Sequence, residues 1–180
     1  MKLFGLTGKM HAGKDTFFNY VQARDAGVTR VAFGDALKAE VAAACGVSVP
    51  YINEHKDVFR PILQWWGTDF RRRLHGENYW IQRVADTLAG LPAAAVVFIT
   101  DVRFPDEAAF VRSRGGQVIK LLRPALERDD SPRHGHDSET KLELIEPDFS
   151  VTADRLDELN FLAWQWWART LAPVCPAACK

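Results

Sequence analysis

The amino-acid sequence predicts a three-layer α/β/α fold, in which helices cover both faces of a parallel β-sheet. Short apolar runs alternate with helical patterns along the chain, and parallel strands need such helical crossovers. A glycine-bounded loop also joins the first predicted strand to the first predicted helix. Because its 180 residues contain no repeat or low-complexity segment, the chain is predicted to form a single domain.

Five segments have the composition of buried strands. The clearest is residues 95–99, which are all apolar and therefore suit the centre of a parallel sheet. The predicted strands are residues 2–7, 29–33, 95–99, 117–122 and 149–151.

The segments between these strands have helical periodicity, apart from two predicted loops. Asp35 and Asn78 are predicted to cap helices that end near residues 45 and 89. Residues 50–53 are predicted as a loop, and the polar residues 123–140 as a loop or lid. The other predicted helices are residues 14–25, 54–74 (despite Pro61), 105–114 and a last helix opened by Asp154.

Composition and charge limit the classes of function. The chain is 47% hydrophobic and 26% charged, with 23 basic and 23 acidic residues, so no overall field favours binding to a nucleic acid polymer. No apolar run approaches the roughly 20 residues that span a bilayer, and no signal-peptide pattern is seen. The three cysteines, Cys45, Cys175 and Cys179, are odd in number and widely spaced for a disulfide framework, which suits a reducing cytoplasm.

Residues 8–16 match a phosphate-binding loop, in which Gly8 and Gly13 bound a turn that is followed by Lys14 and a helix. Backbone N–H groups, a lysine ammonium and a helix N-terminus all attract phosphate oxygens. Asp15 occupies the position where a hydroxyl usually binds Mg²⁺, and Thr16 follows it. The alternative is that the glycines only turn a strand into a helix. The predicted phosphate-binding residues are Gly8, Ala12, Gly13, Lys14, Asp15 and Thr16.

Asp101 follows the central strand, so it is predicted to lie at the carboxyl edge of the sheet, where such folds bind ligands. An acidic residue there can hold Mg²⁺, and the cation would screen Asp15 from phosphate. Asp15, Thr16 and Asp101 are therefore the candidate metal ligands, and the sequence does not decide between them. Alternatively, Asp101 caps the next helix.

A second group of polar residues predicts a site for another phosphate. Arg60, Gln64, Gly67 and Arg71 have spacings of four, three and four, which places them on one face of an α-helix. A planar guanidinium can bind two phosphate oxygens at once. The alternative is a solvated face, to which Arg72 and Arg73 are assigned. Further candidates for this second substrate are Asp35 and Lys38, with Trp80 stacking on a base.

Arginines in the polar segment 123–140 are predicted to close over the transferring phosphates. The candidates are Arg123, Arg128 and Arg133, and a surface loop is the alternative. His134 and His136 have no Cys or His partners that would support a zinc site.

These motifs together resemble the bacteriophage-type deoxynucleoside monophosphate kinases, a group of P-loop nucleotide kinases. The order of the motifs is more specific than any one of them, and the resemblance weakens after Val151. Asp after the loop lysine is familiar in this group. The matching residues are Gly8 to Thr16, Phe33 to Lys38, Gln64 to Asp69, Arg71, Trp80, Asp101 to Glu107, Gly115, Gly116 and His136 to Glu139.

The resemblance implies a core, a nucleoside-monophosphate-binding region and a lid, with ATP and Mg²⁺ as cosubstrates. Lys14 would contact the donor phosphates, and Arg60 and Arg71 would contact the deoxynucleoside monophosphate. Asp101 and Arg103 would lie at the metal and phosphates. A homodimer is compatible with the sequence. The implied regions are the core at about 1–33, 93–122 and 141–180, the monophosphate-binding region at about 34–92 and the lid at about 123–140.

Two other functions are compatible with the motifs. A phosphomevalonate-kinase-like enzyme shares the Gly-Lys-Asp loop and the Asp-x-Arg strand end. A regulatory module could hold ATP without transferring phosphate, although it would need no second phosphate site.

Overall fold

The computed structural model describes residues 1–127 and 141–171 and contains a five-stranded parallel sheet. The strand order is β2-β3-β1-β4-β5, and every neighbouring pair is parallel. All five predicted strands are present, which confirms the three-layer fold class. The strands are β1 (Lys2–Thr7), β2 (Val28–Val31), β3 (Val96–Ile99), β4 (Gln117–Leu122) and β5 (Phe149–Thr152).

Helices cover both faces of the sheet. The longest is the last, and a π-helix interrupts the run of helices between β2 and β3. The helices are α1 (Lys14–Gln22), α2 (Phe33–Cys45), α3 (Val49–Glu54), α4 (Lys56–Gln64), the π-helix (Trp65–Arg72), α5 (Arg73–His75), α6 (Tyr79–Ala89), α7 (Pro105–Ser113), α8 (Pro124–Glu127), a 3₁₀ turn (Lys141–Leu144) and α9 (Leu156–Leu171).

Alternating strand residues build two separate cores, one on each face of the sheet. Phe4 and Phe98 face α1 and α9, where the Phe4 ring meets Trp166 edge-on at 4.9 Å. Leu3 and Val97 face the opposite way and pack with residues of α6 and α7. This burial on both faces explains why the central strands β1 and β3 are nearly continuous apolar runs rather than alternating ones.

The register of the sheet brings two predicted site segments together. β1 lies beside β3, and Gly5 pairs with Ile99. Because both strands run in the same direction, the loop after β1 and Asp101 after β3 emerge at the same edge of the sheet. The topology therefore positions the candidate site at this carboxyl edge.

Three local predictions are wrong. Residues 50–53 lie in α3, where the Ser48 hydroxyl accepts a hydrogen bond from the Tyr51 N–H at 3.2 Å and Pro50 occupies the first turn. The predicted helix 54–74 is divided at His55 and changes to a π-helix at Trp65. The last helix begins at residue 156 rather than at 154.

Candidate active site

The loop between β1 and α1, residues 8–16, is referred to below as the phosphate loop. Gly8 and Gly13 have φ angles of +140° and +95°, in the region that favours glycine. The Lys14 Nζ donates hydrogen bonds to the backbone oxygens of Gly8 at 2.6 Å and Lys9 at 2.8 Å. The loop therefore folds around an ammonium group beside the N-terminus of α1, an arrangement suited to anions.

Gly8→Ala should lower the free energy of unfolding by about 1–3 kcal/mol, measured by urea denaturation. A Cβ at Gly8 would lie 2.4 Å from the Leu121 backbone oxygen, so the backbone would have to move. Gly46→Ala is the matched control, since Gly46 also has a positive φ but no atom lies within 4 Å of its Cβ position. Equal losses for the two variants would contradict the steric explanation.

A cavity of about 640 Å³ opens beside the phosphate loop. Residues 13–16, four of the six predicted phosphate-binding positions, line it. Gly8 and Ala12 are not among the described residues that line it, and the buried Ala12 donates its N–H to the Lys9 backbone oxygen at 3.1 Å. Gly8 and Ala12 shape the loop, and residues 13–16 face the cavity.

The cavity is strongly basic although the whole chain is neutral. Eight Lys or Arg residues line it against four Asp or Glu residues, a count made over the described residues. Such a surface concentrates positive potential where two anions could meet. The basic lining residues are Lys14, Arg30, Lys38, Lys56, Arg60, Arg72, Arg103 and Arg123; the acidic ones are Asp15, Asp35, Asp101 and Glu107.

Asp101 reaches across the sheet edge to the start of α2. Its two carboxylate oxygens accept hydrogen bonds from the backbone N–H groups of Phe33 at 2.9 Å and Gly34 at 2.8 Å. Burial raises the pKa of Asp101 above its usual range. Asp101 thus caps α2, and the prediction that Asp35 caps this helix is wrong: Asp35 lies in the first turn and pairs with Arg30 at 2.9 Å.

One side of α4 and the π-helix faces the cavity, and its polar members are referred to below as the cavity stripe. They are Lys56, Arg60, Gln64, Thr68 and Arg72, with successive spacings of four. Arg60 extends toward the phosphate loop, where its guanidinium lies 3.1 Å from the Met10 sulfur. The stripe therefore reaches the phosphate loop at Arg60, and Arg60 and Gln64 lie on the same side of the helix, as predicted.

The prediction that Arg71 shares this face is wrong, because the segment from Trp65 to Arg72 is a π-helix rather than an α-helix. A π-helical turn pairs residues five apart, so Arg72 follows Gly67 on the cavity side. Arg71 is not among the described cavity-lining residues. Its Nε donates to Glu40 Oε2 at 2.7 Å, and its guanidinium lies over the Phe70 ring at 4.9 Å.

Arg72 is buried at 8% exposure, which contradicts its assignment to a solvated face. Its guanidinium bonds Asp106 at 2.9 Å and Glu107 at 2.5 Å and lies 3.8 Å from the centre of the Phe104 ring. Burial raises the pKa of Glu107 to about 8, and the positive charge of Arg72 is the largest effect that lowers it. Sequence reasoning missed both residues, because only the fold brings them together.

Glu107 also holds the loop that follows β3. Its Oε2 accepts hydrogen bonds from the backbone N–H groups of Arg103 at 2.8 Å and Phe104 at 3.2 Å. Arg103, predicted to act on the phosphates, lines the cavity. The Arg72–Glu107 pair therefore connects the cavity stripe to the loop that carries Asp101 and Arg103.

Trp80 lines the cavity but belongs largely to the core, with 4% of its surface exposed. Its indole N–H donates to the Gly67 backbone oxygen at 2.9 Å, and its ring meets Tyr79 edge-on at 4.8 Å. The hydrogen bond fixes the π-helix against α6. Stacking of Trp80 on a base stays a prediction.

Some predicted residues lie outside the described ranges, including Arg128, His134, His136, Cys175 and Cys179. Most of the predicted lid also lies there, while residues 124–127 form α8. Among the described residues, no cluster of three or more His, Cys, Asp or Glu could hold a metal ion, and no helix is long and apolar enough to cross a membrane.

Comparison with known proteins identifies the family. No family model matches the chain. A protein of Acanthamoeba polyphaga mimivirus, named "Putative deoxynucleotide monophosphate kinase", is 31% identical over 171 residues, covering 81% of this chain and 84% of the viral protein. The chain belongs to the deoxynucleotide monophosphate kinase family. The chain is therefore a phosphotransferase of the kinase class. The viral relative comes from a giant virus.

Solved kinase structures share the fold of this deoxynucleotide monophosphate kinase family member. Dephospho-CoA kinase from Campylobacter jejuni is 15% identical with a TM-score of 0.55, covering 95% of this chain and 100% of that one. Shikimate kinase from Acinetobacter baumannii, in complex with shikimate, is 17% identical with a TM-score of 0.51, covering 94% and 92%. At these identities the likeness shows the fold alone, which is that of P-loop kinases.

Proposed function

We propose that this chain transfers the γ-phosphoryl group of ATP to the 5′-phosphate of a deoxynucleoside monophosphate, giving ADP and a deoxynucleoside diphosphate. The observation that carries the proposal is the cavity with anion-binding groups on two facing sides, the phosphate loop and the cavity stripe. A cavity of about 640 Å³ is also of the size that proteins use to enclose a small-molecule ligand. The name of the mimivirus relative supports the same class of acceptor.

The donor side consists of residues 13–16 of the phosphate loop. Lys14 supplies a compact positive charge to the donor's terminal phosphates, and the N–H groups at the start of α1 bind phosphate oxygens. These groups stabilise negative charge as the bond between the γ-phosphorus and the β–γ bridging oxygen breaks. Arg103 and Arg123, which line the same cavity, contribute further positive charge.

The acceptor needs no general base, because its phosphate oxygen is already a nucleophile. As that oxygen bonds to the γ-phosphorus, ADP leaves with the electron pair of the broken bond. The contribution of the protein is then alignment of two anions that otherwise repel each other. Arg60 and Lys38 hold the acceptor phosphate, while Gln64 and Asp35 hydrogen-bond to other parts of the nucleotide.

The base of the acceptor has an apolar surface available beside Gly67. Leu37, Leu63 and Trp80 line the cavity together with Gly67, and a Cβ at Gly67 would lie 3.1 Å from Leu37 Cδ2. Aromatic and aliphatic side chains bind the faces of a base without strong preference among bases.

Asp15, Thr16 and Asp101 offer only oxygen ligands toward the cavity, which suits Mg²⁺. This donor set fits the ion because Mg²⁺ in phosphoryl-transfer sites takes few protein ligands and completes its shell with phosphates and water. When bound, Mg²⁺ would neutralise charge on the donor phosphates. Asp101 also keeps the start of α2 in place through its two backbone hydrogen bonds.

ADP formation with each common deoxy- and ribonucleoside monophosphate tests the proposal. We expect release of ADP that depends on a deoxynucleoside monophosphate, with a diphosphate product identified by chromatography. Turnover with mevalonate phosphate instead would favour a phosphomevalonate-kinase-like enzyme. Equal ADP release without any acceptor would contradict phosphate transfer between two substrates.

A further inference from the structure

Three basic side chains that line the cavity form no salt bridge in the part of the chain that the structure describes. Lys38, Lys56 and Arg60 all line the cavity, and no salt bridge involves any of them within residues 1–127 and 141–171. Arg60 contacts only the weak acceptor Met10 Sδ by hydrogen bond in that part of the chain. Within the described residues, Lys56 and Arg60 therefore have no ion-pair partner, while Lys38 is attracted by the charges of Asp35 and Asp101 without a salt bridge to either.

The position of Lys56 is electrostatically unfavourable in the absence of a ligand. Lys56 is the first residue of α4, where the positive end of the helix repels a cation. Arg60 lies one turn later on the same face, and like charges four residues apart destabilise a helix. Lys56 also lies close enough to Lys38 to lower the pKa of that amine, after the larger effect of burial, whereas the charges of Asp35 and Asp101 raise it.

An anion between these groups would offset all of these repulsions at once. The contact of Arg60 with Met10 places the cluster directly beside the phosphate loop. An anion bound there would lie next to the donor phosphates and not at the distant end of the cavity. The neutral members of the cavity stripe, Gln64 and Thr68, follow Lys56 and Arg60 along the helices.

We propose that Lys56, with Lys38 and Arg60, binds the phosphate dianion of the acceptor. This inference rests on the proposed function and adds Lys56 as a binding residue for that phosphate. The inference also gives the acceptor an orientation. The acceptor phosphate lies at the Lys56 end, and the base extends along the cavity stripe toward Thr68. A lysine suits this position because its ammonium is a compact charge that can approach the dianion beside a guanidinium fork.

The test is Lys56→Met, in equilibrium binding to deoxynucleoside monophosphates and to the corresponding deoxynucleosides, which have no phosphate. We expect binding of the monophosphate to weaken about tenfold and binding of the deoxynucleoside to stay unchanged. The Michaelis constant for the acceptor should rise in parallel while that for ATP does not. Lys56→Arg, which retains the charge, should recover most of the affinity.

Lys2→Met is the matched control, since it removes the same charge from an exposed position of β1 that does not line the cavity. Acetylation of Lys56, followed by mass spectrometry, gives a second readout and should be slowed by the monophosphate. If Lys56→Met binds the monophosphate as tightly as the wild type, or loses as much affinity for the deoxynucleoside, the role of Lys56 is overturned while the proposed function stands. A wild-type chain that neither binds nor phosphorylates any nucleoside monophosphate would overturn the proposed function as well.

Discussion

Arg72→Met should lower the free energy of unfolding by about 3–5 kcal/mol above pH 8, where Glu107 carries its charge. The substitution leaves a buried carboxylate without its guanidinium partner, because Arg72 is the side chain that bonds Glu107 at 2.5 Å. Methionine keeps much of the packing volume against the Phe104 ring. Urea denaturation at several pH values measures the loss.

The sign of the pH dependence follows from the raised pKa of Glu107. Its folded pKa of about 8 exceeds the ordinary value of 4.5, so between these values the folded chain holds a proton that the unfolded chain has released. The free energy of unfolding therefore falls as pH rises through this window. Without Arg72 the pKa of Glu107 rises further, so the deficit of Arg72→Met should grow with pH.

Two variants separate loss of the ion pair from loss of packing. Arg73→Met is the matched control, since Arg73 is exposed and pairs with Asp69 at 3.2 Å on the surface; it should change stability by less than about 1 kcal/mol. Adding Glu107→Leu to Arg72→Met should recover part of the stability and remove its pH dependence. A deficit that does not vary between pH 6 and pH 9 would contradict the explanation.

Arg72→Met should also reduce turnover in molecules that remain folded. Glu107 holds the backbone N–H groups of Arg103 and Phe104, so a displaced Glu107 disturbs the loop that carries Asp101 and Arg103. We expect kcat to fall more than acceptor affinity, because alignment of the two phosphates is lost.

The fold was predictable from sequence because it depends on local patterns. The central strands β1 and β3 are short apolar runs bounded by polar residues, and helices of ordinary periodicity separate the strands. Errors arose where one contact overrides propensity. The Ser48 hydroxyl caps α3 in a segment whose Pro and Asn residues suggest a loop. Asp101, which follows a strand distant in sequence, caps α2 in place of Asp35.

The candidate site was predictable only where its residues are contiguous. The phosphate loop is one continuous stretch, so its spacing identifies it. The cavity stripe depends instead on helix geometry, and the predicted spacing of four, three and four places residues on one face only in a regular α-helix. Because of the π-helix after Gln64, Arg72 rather than Arg71 lies on the cavity side. Glu107 joins the site through its contact with Arg72, which is 35 residues away in sequence.

Lys14→Met should reduce kcat by about 10²–10³-fold, the largest effect on activity expected of any single substitution in the phosphate loop. The Lys14 ammonium is held within the loop by the backbone oxygens of Gly8 and Lys9, so its charge is fixed beside the position of the donor phosphates. Methionine has a similar length but no charge. Single-turnover measurement of ADP formation separates this loss from product release.

The same variant separates the donor side from the acceptor side. If Lys14 stabilises charge on the transferring phosphoryl group, Lys14→Met loses turnover while acceptor binding changes less than about twofold. Lys56→Met should show the opposite pattern, with weaker acceptor binding and a smaller change in kcat. Because both lysines line the same cavity, a general loss of positive potential would affect both constants in both variants. Opposite patterns would therefore assign each lysine to its own phosphate, whereas equal patterns would contradict the division of the cavity into two sites.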